Sequence, residues 1–176
     1  MSVLAVVPIG PSDDDVLAAV EGVVASAFGR ETARLAPIPE PAGAFDAARG
    51  QWSAPEMLKV LLSARPPEAD RILGVTTRDL FVPVLSFVFG QAQMGGPTAV
   101  ISLARISQAF SGLPEDRPLL LARARKEAVH ELGHTFGLVH CPDPACPMSL
   151  STGVVQVDRK GESLCASCAA LVKERT

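Results

Sequence analysis

Residues 2–9 are almost continuously apolar and rich in β-branched side chains, the pattern of a central strand covered on both faces. Ser12 or Asp13 can then cap a helix in which Val16, Leu17, Val20, Val23, Val24 and Ala27 form a broad apolar face, with Gly29 as its stop. Weak alternation over 32–38 predicts a second strand. Three prolines (Pro37, Pro39, Pro41) argue against regular structure beyond it, so 40–51 reads as a loop. Ser53-Ala54-Pro55-Glu56 is a capping box opening a helix to about residue 64, closed by Pro66-Pro67. Strands follow over 71–76 and over 84–89, where Leu85, Phe87 and Phe89 share a face. A glycine-rich connection over 90–97 leads to a fifth strand over 99–106. Asp116 and Pro118 open a long helix with Leu121, Ala124, Ala128 and Leu132 on one stripe, and Ser163 can cap a last helix running to about residue 174. The order β-α-β-α-β-β-β-α and a short tail predicts a mixed α/β domain. Its first crossover should be parallel and right-handed.

Composition narrows the class. The 176 residues are 48% hydrophobic but only 5% aromatic, enough for one domain whose core is built mainly from Val, Leu, Ile and Ala. Net charge is −3 with both signs mixed, and no basic stripe suits nucleic acid. The apolar run at the N-terminus is too short to span a bilayer and lacks the basic flank of a signal peptide. The expectation is a soluble cytoplasmic protein with neither a nucleic-acid nor a membrane partner, its oligomeric state open with a monomer favoured.

The long helix ends in His130-Glu131-Leu132-Gly133-His134-Thr135-Phe136-Gly137-Leu138-Val139-His140, which holds every histidine of the chain. Residues four apart share a helix face, so His130 and His134 can aim at one point. Zn²⁺ takes neutral imidazole nitrogens and, at catalytic sites, keeps a position open for water. Glu131 lies about 100° round the helix, where its carboxylate can reach that water. Gly137 can take positive φ and turn the chain, letting His140 return as a third ligand. Ordinary residue usage gives this pattern a chance on the order of 10⁻⁷ per position, so scattered structural histidines explain it poorly.

All four cysteines follow: Cys141 and Cys146, then Cys165 and Cys168. In an oxidising compartment they would suggest two disulfides, and in a reducing one a tetrahedral zinc. The metal reading is the stronger, on the two close pairs. Met148, taken alone, is a core filler. Its place on a turn tied by the Cys141 and Cys146 sulfurs suits a hydrophobic floor beneath the histidines.

The eleven-residue motif, the C-x4-C-x-M directly after it and the later C-x2-C together resemble the archaemetzincin branch of the metzincin zinc metalloproteases. The resemblance implies a metzincin-like fold: a twisted mixed five-stranded sheet with backing and active-site helices over a horizontal cleft, and a small C-terminal Met-turn subdomain below. Residues 1–137 would form the upper part and 138–176 the lower. It further implies two Zn²⁺, one catalytic on His130, His134 and His140 with Glu131 as general base, and one structural on Cys141, Cys146, Cys165 and Cys168. Gly137 and Met148 would be the supports. An antiparallel edge strand, expected at 84–89, would pair with extended peptide or protein substrate. The activity would be peptide-bond hydrolysis, by an aminopeptidase or an oligopeptide-cleaving enzyme. The alternative is a zinc-binding protein of the same fold without significant proteolysis. The chain has no tyrosine of the kind some metzincins place near zinc, and no further histidine.

Overall fold

A computed structural model describes residues 2–175. Strand β1 (Val3–Ile9) is central, as its apolar run requires: it pairs in parallel with β2 (Glu31–Arg34) on one side and with β5 (Ala69–Thr76) on the other. Between them lie helices α1 (Asp14–Phe28) and α2 (Ala54–Ala64) and the short strands β3 (Phe45–Asp46) and β4 (Gln51–Ser53). Strand β6 (Leu80–Phe81) joins β3 and β4 in a small separate sheet. The main sheet continues with β8 (Thr98–Ser102), parallel to β5, and ends at β7 (Gly90–Ala92), antiparallel to β8. Its order is β2-β1-β5-β8-β7, the mixed five-stranded sheet of the sequence reading.

Alternation along β1 divides the core in two. Leu4 and Val6 pack with Val16, Val20 and Val24 of α1 and with Ala124, Ala128 and Leu132 of the long helix α3 (Arg117–Thr135). Ala5, Val7 and Ile9 pack on the opposite face with Met57 and Leu61 of α2. Each fully buried Leu, Ile, Val or Met contributes roughly 1.5–3 kcal/mol of transfer free energy. This sandwich therefore holds α3, and the motif at its end, rigidly against the sheet.

Residues 84–89 are not a strand. Pro83 can donate no backbone hydrogen bond, and the nearby carbonyls are taken by side chains instead. Arg49 donates to the carbonyls of Pro83 (3.2 Å) and Leu85 (3.0 Å), and Gln51 to that of Ser86 (2.9 Å). Only a single bridge, Leu80 to Val88, remains. The edge strand is β7, in the stretch read as a flexible connection. The loop read at 40–51 contains β3 and a turn of 3₁₀ helix over Ala42–Ala44. The tail holds helix α4 (Val154–Arg159), absent from the sequence reading, and α5 (Ala166–Glu174), whose cap position is Cys165 rather than Ser163. Arg123 fastens α4 to α3: its guanidinium meets both Asp158 oxygens at 2.7 Å and donates to the Ile106 carbonyl at 2.8 Å.

Candidate active site

Helix α3 is capped at its start by Asp116, which accepts from the Leu119 amide at 3.0 Å. It ends in a Schellman motif: Leu138 N–H donates to the Gly133 carbonyl (3.0 Å) and Gly137 N–H to that of His134 (2.9 Å). Gly137 has φ of 81°, a left-handed conformation that strains any side-chain-bearing residue. The chain reverses there and brings His140 back beside the first two histidines. One nitrogen from each of His130, His134 and His140 lies within 4.8 Å of the others.

Carbonyl oxygens can only accept, so the two carbonyls that meet these rings fix their tautomers. His130 Nδ1 donates to Pro147 O and His134 Nδ1 to Leu138 O, each at 2.7 Å. Both Nε2 lone pairs are thus free and stand 3.1 Å apart. Two corners of a tetrahedral Zn site with Zn–N of ~2.05 Å would be about 3.3 Å apart. Burial, with help from Lys160, holds His130 well below the usual histidine range, and burial also lowers His134 and His140. The rings are therefore neutral, the state that binds metal.

Glu131 is buried and, with the three histidines, lines a cleft of about 600 Å³. Residues 85–92 and Leu150, Ser151 and Thr152 line it as well. Burial pushes the Glu131 carboxyl well above the usual carboxylate range, with Glu127 adding to the effect and Lys160 opposing it. A divalent cation at the histidines would draw it down again. A second cavity, about 520 Å³ beside α1 and α5, gathers no comparable set of ligand atoms among the described residues.

Beneath the histidines, Met148 is fully buried, and its sulfur lies 2.3 Å from where a Cβ on Gly133 would stand. Glycine at that helix position is what admits Met148. The turn carrying Met148 is tied by the Cys141 amide to the Met148 carbonyl (2.9 Å) and the Ser149 amide to that of Cys146 (3.0 Å). The four cysteine sulfurs lie within 4.8 Å of one another with no S–S bond. Cys141 and Cys165 stand 3.8 Å apart, and a tetrahedral Zn site with Zn–S of ~2.3 Å has edges of about 3.8 Å. Burial raises the thiols of Cys146 and Cys168, while the neighbouring Cys168 groups lower that of Cys165. Four thiols this close, two of them buried, suit a shared cation.

Two residues of the cleft escaped the sequence reading. Glu127, one turn before His130, is buried, and so is Lys160, just past α4, with 3.8 Å between Glu127 Oε1 and Lys160 Nζ. Glu127 had a signal, since it is a charge on the helix face that carries His130, Glu131 and His134. Lys160 had none.

The sequence profile of Peptidase family M54 matches residues 14–174. The chain belongs to the archaemetzincins, peptidase family M54. The archaemetzincin of Methanocaldococcus jannaschii is 38% identical over 168 residues, covering 96% of this chain and 91% of that protein. The crystal structure of the archaemetzincin from Methanopyrus kandleri superposes with a TM-score of 0.88 at 38% identity, over 99% of this chain and 94% of that one. That of a zinc-dependent peptidase from Methanocorpusculum labreanum gives 0.86 at 27%, over 96% and 99%. An archaemetzincin is a zinc metallopeptidase, a hydrolase of peptide bonds, and the fold and family expected from the motif hold for this chain.

Proposed function

We propose that Glu131 is the general base of a peptide-bond hydrolysis carried out at His130, His134 and His140. The observation that carries this reading is the convergence of the three imidazoles. Two have their Nε2 atoms freed by carbonyl-bound Nδ1, and the buried Glu131 carboxylate stands beside them in an open cleft. When bound, Zn²⁺ supplies a Lewis acid that polarises the scissile carbonyl and acidifies water. Glu131 takes the proton of the attacking water as its oxygen bonds to the carbonyl carbon. It delivers that proton to the amine as the C–N bond breaks. Strand β7 is the last of its sheet, so its outer backbone groups are available to an extended peptide as an added strand. Gly90 sets that strand against the base: a Cβ there would lie 2.8 Å from Glu131 Oε1. Cys141, Cys146, Cys165 and Cys168 hold a second, structural zinc that anchors the return of His140 and the Met148 floor. Gly137 and Met148 act as supports.

Metal analysis coupled to a peptide-library digest tests the reading. Two zincs per chain and a defined cleavage pattern are expected, and cuts within peptides or at their N-termini separate endopeptidase from aminopeptidase. One zinc and no cleavage would contradict it.

A further inference from the structure

We propose that Glu127 and Lys160 form a specificity pocket beside the three histidines that takes an uncharged carboxamide side chain, glutamine or asparagine, next to the scissile bond. This rests on the peptidase reading above. Both residues line the cleft, yet their side chains are only 4% and 0% exposed. Their charged atoms are 3.8 Å apart, which is ion-pair range but too long for a hydrogen bond. Each is short of partners. Glu127 Oε1 has no hydrogen bond among the described residues. Lys160 Nζ lies 3.5 Å from His130 Nδ1, but that nitrogen already gives its proton to Pro147 O, so two donors face each other. Ser151 also lines the cleft, and its buried Oγ has no hydrogen-bond partner among the described residues.

Charge balance selects the occupant. Glu127 and Lys160 together are neutral, on whichever of them a shared proton sits. Nearby Lys126 is turned away to the carbonyls of Val157 and Asp158, both at 3.2 Å, and Glu131 serves the histidine centre. A lysine, arginine, aspartate or glutamate side chain entering here would find no unspent countercharge, and a buried unbalanced charge is strongly disfavoured. An aliphatic side chain would cover the donor and the acceptor without bonding either. A carboxamide carries both complements on one carbon. Its NH₂ donates to Glu127 Oε1, and its oxygen accepts from Lys160 Nζ, with the Ser151 hydroxyl as a further partner.

The test reads binding, so it does not depend on turnover. Acetylated, amidated alanine pentapeptides with a central glutamine, leucine, glutamate or lysine are titrated into the zinc-loaded full chain carrying Glu131→Gln. The glutamine peptide should bind roughly tenfold more tightly than the leucine peptide, and both charged peptides more weakly still. Glu127→Leu combined with Lys160→Met, which removes both polar partners at similar volume, should make leucine the preferred residue. The milder Ser151→Ala should weaken glutamine binding a few-fold and leave leucine binding unchanged. Leucine or a charged residue binding best to the unaltered pocket, equal binding of all four, or no binding would each overturn the proposal. Hydrolysis of the same peptides by wild type reports separately on the peptidase reading, which stands or falls apart from the ranking.

Discussion

Gly90 and Glu131 meet so closely that the edge strand and the Glu131 side chain are set by a single missing methyl group. A Cβ on Gly90 would stand 2.6 Å from the Val100 carbonyl and 2.7 Å from Glu131 Cγ. The Val100 carbonyl is sheet backbone and cannot give way, so Gly90→Ala should destabilise the fold by roughly 1–3 kcal/mol and displace Glu131. Cleavage should fall at least tenfold while zinc content stays the same. Parallel melting and rate measurements check both, and wild-type rates would show that the strand does not position the base. The histidines were legible because all three lie within eleven residues of one helix end, where periodicity and a glycine turn govern geometry. Lys160 was not, since it meets Glu127 only after α4 has folded back beneath α3.

Elements far apart in sequence are joined by a few buried charges. Arg123 on α3 has a side chain 7% exposed, and Asp158 on α4 one that is 39% exposed. Asp158→Ala would leave the buried guanidinium with the Ile106 carbonyl alone. The expected loss is about 2–3 kcal/mol, below the figure for a fully buried pair because Asp158 is partly solvated. The Arg123 hydrogen bonds hold the Asp158 carboxyl below its ordinary 3.8. With the folded value depressed, this contribution is full above about pH 4 and is lost as pH falls through the folded value. Urea unfolding from pH 6 to pH 2 should show wild type and variant converging in acid. A gap that stays constant would mean that the pair is not the cause. The same scale explains the misread strand. The alternation of Leu85, Phe87 and Phe89 is real, but Arg49 and Gln51 occupy the carbonyls that a ladder would need, and no local pattern reports side chains over thirty residues away.

Over the whole molecule, a sheet with apolar packing on both faces holds α3, while the tail buries only a few apolar side chains. Among the described residues from 138 on, its buried apolar groups are Leu138, Met148, Val157, Val172 and two of the cysteines, Cys146 and Cys168. Cys168→Ser should therefore remove one zinc per chain and cost roughly 3 kcal/mol or more, read by metal analysis and thermal melting. Loss of a zinc with an unchanged melting temperature would rule out the structural role. The layered α/β plan was legible from runs and caps, because central strands and capped helices are local in their causes. The small sheet, the position of the edge strand and the polar pocket come from long-range contacts. The central claim, that hydrolysis at the histidines depends on Glu131, is tested most directly by Glu131→Gln. The variant should bind as much zinc as wild type and melt at or above its temperature, while cleavage of a substrate peptide falls by at least 10²-fold. Cleavage at the wild-type rate, with zinc retained, would contradict it.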